Sequence, residues 1–198
     1  MGDYTEYFLK IGARVVCIEP QPHCIRILKQ RFKNTNNTKI IEKGVAEKNG
    51  EILLHIDPSN HATATFSNKF KTQGPFKNRN WDKKVKVPVT TLDELISEYG
   101  IPVFCKIDVE GYEVSVLKGL SVPIPYISFE YSKNLLKEVE SCLSHLNKLG
   151  NARFNFSVSY NSTKLKLRKW TKSKKKLIDE VQKVPLGYPG DVFVNFLN

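Results

Sequence analysis

The chain has 198 residues, of which 40% are hydrophobic and 26% charged, and its formal net charge at pH 7 is +11. A chain of this length forms one domain with a substantial core. No apolar run approaches the roughly 18 residues that a membrane span requires, and the first residues lack the pattern of a signal peptide. Four scattered cysteines without a C-x-x-C spacing predict free thiols and a reducing, cytoplasmic compartment.

The first quarter of the chain alternates between helical and strand patterns. Apolar spacing and the glycine at position 12 predict a short amino-terminal helix, and the run R-V-V-C-I-E predicts a buried strand. The predicted elements here are a helix over 5–11, a strand over 14–19, a helix from 22 to 32 and a strand over 39–46.

The pattern changes after residue 46. Asn49-Gly50 predicts a hairpin turn into a half-exposed strand over 51–56. Residues 58–84 are polar and irregular, which predicts a loop over the mouth of a site. Residues 84–90 alternate as a strand, and Pro88 predicts that this strand lies at a sheet edge. We therefore predict a hairpin and lid insertion over 48–90, within a single domain over 1–198.

The second half returns to alternating strands and helices. This alternation predicts an α/β, Rossmann-like fold with a mostly parallel sheet covered by helices on both faces. The last two strands predict an antiparallel hairpin joined without a helix, with a basic insertion over 161–190. The predicted elements are a capped helix from 91 to 99, a strand over 104–107 with its helix, a strand over 126–131, a helix over 133–149, and strands over 154–160 and 191–197.

Carboxylates gather where the strand over 104–107 ends. Asp108 and Glu110 follow it directly, and Glu130 ends the next strand. Open α/β sheets bind ligands at the carboxyl ends of their strands. We predict Asp108 at the reaction centre, as a general base or as a ligand of a metal or substrate hydroxyl, with Glu110 and Glu130 as second candidates. A divalent metal is possible but nothing in the sequence supports one. Glu113 is predicted to cap the following helix and to be solvated.

A second acid ends an earlier strand. Glu19 closes the strand over 14–19 and is followed by Pro20. A carboxylate in this position can accept hydrogen bonds from both hydroxyls of a nucleoside ribose. The alternative is an ordinary acid at a helix start, where the helix dipole favours it.

The segment K-I-D-V-E-G-Y-E followed by V-L-K-G, over residues 106–119, resembles the "KIDVEGxE…VLxG" signature of the FkbM-type methyltransferases. V-T-T-L-D-E-L over 89–95 and F-E-Y over 129–131 resemble the family's segments on either side of it. The resemblance implies a class I methyltransferase that transfers a methyl group from S-adenosylmethionine to a hydroxyl of a sugar, glycan or related metabolite.

The resemblance also implies cofactor contacts. G-D-Y-T over 2–5 looks like the tail of the family's glycine-rich loop, commonly written GANxGxxT, which lies against the methionine part of the cofactor. The strand that should precede this loop is absent from the sequence, so we expect an amino-terminally truncated version of the fold. The implied cofactor-binding residues are Gly2, Thr5, Glu19, Pro20, Val45, Ala46 and Asp108.

Basic residues concentrate near the carboxyl terminus. Residues 164–176 contain eight Lys or Arg and no acid. Because this segment follows the sixth strand of the family fold, we predict that it borders the substrate mouth and that the acceptor is anionic, for example a phosphorylated glycan or nucleotide sugar. Replacing Lys174, Lys175 and Lys176 with Gln should then weaken acceptor binding in a salt-dependent way. The alternative is a solvated face. His61, in the predicted lid, is a candidate substrate contact and general base.

Two further functions stay open. A nucleic-acid methyltransferase is one, because the chain is basic and Lys106, Asp108, Lys118 and Glu130 contain the residue types of the RNA 2′-O-methyltransferase tetrad. Their spacing argues against the tetrad, since Lys118 lies well into the next helix. The other is a degenerate domain that keeps the fold but only binds a partner.

Overall fold

The computed structural model of the chain describes residues 1–158, 167–188 and 190–197. The helices are α1 (Asp3–Lys10), α2 (Pro22–Arg31), α3 (Asn68–Gln73), α4 (Leu92–Tyr99), α5 (Glu113–Lys118), α6 (Leu136–Leu149) and α7 (Lys174–Gln182), with a 3-10 turn (Lys133–Leu135) before α6. The strands are β1 (Val15–Ile18), β2 (Thr38–Ile41), β3 (Gly44–Val45), β4 (Gly50–Asp57), β5 (Asn60–Thr65), β6 (Lys83–Thr90), β7 (Phe104–Ile107), β8 (Tyr126–Tyr131), β9 (Arg153–Phe156) and β10 (Gly190–Asn195).

The core is built on a four-stranded sheet in the order β7-β8-β10-β9. Strands β7 and β8 are parallel, and β10 is antiparallel to both of its neighbours. Helices α5 and α6 supply fully buried leucines, Leu117 and Leu143 among them, to the same core as Ile127 of β8 and Val192 of β10. The predicted antiparallel terminal hairpin, β9 with β10, is confirmed.

The prediction that no helix joins these last two strands is wrong, because α7 lies between them. Its first turn consists of lysines, which hid the helical pattern. Leu177 and Val181, four residues apart, form the buried stripe that anchors α7 against the core.

Strands β1 and β2 form a separate, two-stranded parallel sheet. Within the described residues β1 and β7 are not paired with each other, and α1 contacts both. The ring of Phe8 lies 5.6 Å from that of Phe104 of β7, and Thr5 lies beside Cys17 of β1. Side chains of α1 therefore connect the two sheets.

The third sheet has the order β3-β6-β4-β5 and corrects two predictions. Asn49-Gly50 does not form a hairpin, because β6 lies between β3 and β4. The tight hairpin is β4–β5, where Asp57 pairs with Asn60. Strand β6 is not an edge strand. On the side that faces β3, only Val89 and Thr90 of β6 are paired. Pro88, which has no N–H to donate, therefore interrupts no hydrogen bonds between β6 and β3.

The predicted irregular loop over 58–84 is also wrong, since it contains β5 and α3. Strand β5 alternates threonine with alanine, so its apolar side chains are too small to produce a clear strand pattern. Helix α3 has only six residues, and it is stabilised by Ser67, whose hydroxyl accepts a hydrogen bond from the Phe70 N–H at 3.1 Å. Phe70 is fully buried.

The α/β class is confirmed, whereas the mostly parallel sheet is not, because three of the seven strand pairings in the described residues are parallel and four antiparallel. All four cysteines are free thiols, as predicted. No helix in the described ranges is both long enough and apolar enough to cross a membrane. Residues 159–160 of the predicted strand over 154–160, and residues 164–166 of the basic segment, lie outside the described residues.

Candidate functional site

A strained turn follows β7. Glu110 and Gly111 both adopt left-handed backbone conformations, with φ of 54° and 84°. This conformation costs a non-glycine residue about 1 kcal/mol or more. The hydroxyl of Thr65 donates a hydrogen bond of 2.6 Å to the Glu110 carbonyl oxygen and holds the turn. A side chain on Gly111 would lie 2.8 Å from Phe70 of α3, so glycine is required there. The turn thus fixes the position of the Glu110 carboxyl group.

Three carboxyl groups meet at this turn. Asp108, Glu110 and Glu130 each place an oxygen within 4.8 Å of the others. Asp108 and Glu130 come together because Ile107 pairs with Phe129 at the ends of parallel β7 and β8. Burial, with the nearby Glu130 carboxylate, raises the pKa of Glu110 to about 9. Burial, with Asp108, raises the pKa of Glu130 to about 8. Both glutamates are therefore protonated near pH 7.

Three carboxylate oxygens at this spacing suit a hard divalent cation. They suit proton transfer to and from a hydroxyl equally well. Among the described residues this group of potential ligands contains no histidine or cysteine, and we assign no metal.

Lys106 stands beside the acidic cluster on β7. Its ammonium lies 3.4 Å from a carboxylate oxygen of Asp108 and 2.6 Å from one of Asp191. Burial acts to lower the pKa of Lys106, but these two carboxylates outweigh it and raise that pKa. Lys118 instead pairs with Glu47 at 3.6 Å. The four residues of the methyltransferase tetrad are therefore not assembled.

Glu113 is a structural acid rather than a solvated one. Its side chain is 6% exposed, and one carboxylate oxygen accepts a hydrogen bond of 3.1 Å from the Gly111 N–H. Burial raises its pKa to about 7. This contact is with the turn that precedes α5, so the capping role stays a prediction, whereas the predicted solvation is wrong because the carboxyl group is buried and holds the strained turn.

Glu19, at the carboxyl end of β1, is the acid of the second sheet. Its carboxylate accepts a hydrogen bond of 2.8 Å from the Gln21 N–H, and burial raises its pKa. The Gln21 side-chain amide donates to the carbonyl oxygen of His61 at 3.0 Å. The His61 ring stacks on that of His23, with centroids 4.6 Å apart. The structure therefore places His61 at the Glu19 end of the site.

Sequence reasoning missed Gln21 and His23 as site residues. The segment P-Q-P-H over 20–23 indicated only a helix start, and the structure does begin α2 there. The contact of Gln21 with His61 joins residues 40 positions apart, and no local pattern indicates it.

The other implied cofactor residues make packing contacts. A side chain on Gly2 would lie 2.8 Å from Leu28, so this glycine allows α1 to approach α2 closely. Thr5 is buried against Cys17. Val45 and Ala46 are buried, and the Ala46 N–H donates to the Thr90 carbonyl at 2.8 Å. Their predicted roles in cofactor binding stay predictions.

The predicted acceptor lysines begin α7. The ammonium of Lys174 donates to the Ser144 hydroxyl at 3.0 Å, and Lys175 and Lys176 are exposed. Ser144 lies eight residues into α6, about 12 Å along the helix axis from the end of α6 nearest the cluster. In the described part of the chain, no contact joins these lysines to the acidic cluster.

A family model described as the methyltransferase FkbM domain matches residues 2–157. The chain belongs to the FkbM methyltransferase family. The crystal structure of methyltransferase FkbM from Methylobacillus flagellatus KT has a similar fold, with a TM-score of 0.52 at 17% sequence identity. The match covers 98% of this chain and 40% of that one, so the chain spans less than half of this relative. No curated protein matches the chain.

Proposed function

We propose that the chain binds S-adenosylmethionine and transfers its methyl group to a hydroxyl of a sugar, glycan or related metabolite. Membership of the FkbM methyltransferase family supports the reaction class. The observation that carries the proposal is that β5 links the acidic ends of two strands, β1 and β7. Glu19 follows β1 and Asp108 follows β7, and β5 contacts the segments after both strands. A nucleoside and a reacting hydroxyl require these two kinds of site side by side.

The residues around Glu19 fit a ligand rich in hydroxyl groups. Glu19 offers carboxylate oxygens that accept hydrogen bonds. Beside it, the side-chain oxygen of Gln21 and the Nδ1 atom of His61 are buried, and neither has a partner within the described residues. Buried polar atoms normally have partners, so these two are consistent with a bound nucleoside.

S-adenosylmethionine, when bound, supplies a methyl group on a positively charged sulfur. The chain then has to position the acceptor hydroxyl and take up its proton. We assign the proton to Asp108, whose carboxylate is the exposed member of the cluster and is held by Lys106 at 3.4 Å. Glu110 and Glu130, protonated at pH 7, hydrogen-bond other hydroxyls of the acceptor without adding negative charge.

Calorimetry with S-adenosylmethionine tests the cofactor. The wild-type chain is expected to bind it, and Glu19→Gln to bind about 10- to 100-fold more weakly, because hydrogen bonds to a charged group contribute about 1.5–3 kcal/mol. Glu140→Gln, a change of an exposed acid on α6, is the matched control and should bind as the wild type does. Absence of binding by the wild type would overturn the proposal and favour a partner-binding domain.

We further propose that the acceptor is anionic and that its charge binds beside β4. His55 of β4 pairs in register with Thr65 of β5 and with Lys84 of β6, so these three side chains share one face of the sheet. The ammonium of Lys71 lies 3.2 Å from the His55 ring nitrogens. Burial, then Lys71 and Lys84, lowers the pKa of His55. The positive charges of Lys71 and Lys84 therefore lie near Thr65, the cross-strand partner of His55, and Thr65 contacts Glu110.

Binding of inorganic pyrophosphate, measured by calorimetry, tests the position of that anion site. Lys71→Gln is expected to weaken binding about 5- to 10-fold, with a smaller salt dependence, because one cationic contact is lost. Lys86→Gln is the matched control, since Lys86 lies on the same strand as Lys84 but is ion-paired with Glu51 at 2.6 Å. If the triple change of Lys174, Lys175 and Lys176 to Gln weakens binding and Lys71→Gln does not, the site lies on α7 instead.

A further inference from the structure

Strand β5 connects the two acidic strand ends. Near its start, the His61 carbonyl accepts a hydrogen bond from the Gln21 side chain, two residues beyond Glu19. At its end, the Thr65 hydroxyl donates to the carbonyl of Glu110, two residues beyond Asp108. Four residues of extended strand span about 13 Å. Strand β5 therefore runs from the carboxyl end of β1 to that of β7.

The start of β5 contains two polar atoms without partners. The side-chain oxygen of Gln21 and Nδ1 of His61 are buried, and within the described ranges no group hydrogen-bonds to either. Gln21 is only 8% exposed, and its amide nitrogen is already used by His61. Leaving a buried carbonyl oxygen unpaired is costly, so a bound ligand is expected to supply its partner.

The chemistry of the neighbouring groups specifies that ligand. The carboxylate of Glu19 and the side-chain oxygen of Gln21 both accept hydrogen bonds, so the ligand must present two hydrogen-bond donors close together. The vicinal hydroxyls of a ribose do so. His61 Nδ1 can donate or accept, depending on the tautomer, and it suits either a hydroxyl oxygen or its proton.

We propose that Gln21 and His61 bind the ribose of the methyl donor together with Glu19, so that β5 forms one wall of the donor site. This inference rests on the proposed function, because it takes the ligand to be a nucleoside. It gives His61 a role in donor binding, in place of the substrate-contact or general-base role predicted from the sequence. It also makes β5, a strand of the β3-β6-β4-β5 sheet, part of cofactor recognition.

Calorimetry with S-adenosylhomocysteine, which carries no methyl group to transfer, tests the assignment. Gln21→Met, close in size but without the oxygen, is expected to weaken binding about 5- to 10-fold. His61→Phe keeps a ring against His23 but removes Nδ1, and should weaken binding about 3- to 10-fold. Gln30→Met makes the same chemical change at an exposed position of α2, the helix that follows Gln21. This control variant should bind as the wild type does.

Deoxy ligands separate a direct contact from an effect on folding. The loss of affinity caused by Gln21→Met is measured with 5′-methylthioadenosine and with its 2′-deoxy and 3′-deoxy forms. A direct hydrogen bond predicts that the loss disappears for one deoxy form, since that ligand lacks the hydroxyl. An equal loss with all three ligands, or no loss in either variant, overturns the inference. If the wild type binds none of these ligands, the proposed function itself fails.

Discussion

Methyl transfer by the Asp108→Asn variant is expected to fall by about 100-fold or more, because a positioned general base contributes about 10²- to 10⁴-fold. Asparagine keeps the size of the side chain but cannot accept the proton of the acceptor hydroxyl. Transfer of a radiolabelled methyl group from S-adenosylmethionine to sugar phosphates and nucleotide sugars is the measurement. Activity within about threefold of wild type contradicts the role of Asp108.

Two controls exclude indirect causes of that loss. Asp179→Asn, on the exposed side of α7, makes the same chemical change away from the cluster and should leave transfer unchanged. Binding of S-adenosylhomocysteine to Asp108→Asn should stay within a few-fold of wild type, because Glu19 and its neighbours lie on the other sheet. A large loss of binding assigns Asp108 to the cofactor instead.

The free energy of unfolding is expected to fall by about 5 kcal/mol between pH 6.5 and 8.5. Glu110, Glu130 and Glu113 have folded-state pKa values of about 9, 8 and 7, against a usual 4.5. A raised carboxyl pKa stabilises the folded state fully below pH 4.5, and that stabilisation is lost as pH rises through the folded pKa. One pKa unit on one group corresponds to about 1.4 kcal/mol. Urea denaturation with a chelator present measures the change.

Variants with uncharged side chains identify the groups that cause this pH dependence of stability. Glu110→Gln with Glu130→Gln should remove most of the pH dependence, because glutamine does not ionise. His55, whose pKa is lowered by burial, acts in the opposite direction, but chiefly below pH 6.5. Glu140→Gln, at an exposed position, should keep the wild-type slope. A double variant that loses stability as steeply as the wild type would show that these two carboxyl groups are ionised in the folded protein.

The elements that were predicted well are those whose pattern is local. Strands β7 and β8 are short runs of mostly apolar residues, and α6 carries a regular buried stripe, so their positions follow from the local pattern. The strand order β3-β6-β4-β5 could not be predicted in this way. Strand β4 pairs with β6 rather than β3 because of chain folding over 40 residues, and Asn49-Gly50 alone favours the other pairing.

The acidic half of the site was predictable for the same reason. Neighbouring parallel strands end at one edge, so carboxylates after β7 and β8 must meet there. The Glu19 half was predictable only for Glu19 itself. The contacts of Gln21 with His61 and of Thr65 with Glu110 depend on where the β3-β6-β4-β5 sheet lies against the ends of β1 and β7. That position is set by tertiary packing, for example Phe70 against Gly111.

The division of the strands between sheets has a consequence for ligand affinity. Glu19 and Asp108 follow strands that share no backbone ladder in the described residues, so α1 and β5 set their separation through side chains. Such contacts leave the two acidic strand ends less preorganised than a continuous sheet would. A donor that touches both ends acts as a cross-link, and part of its binding free energy is used to hold them at one spacing. Ligand binding and cooperative unfolding are then thermodynamically linked, and a saturating donor raises the stability of both sheets together.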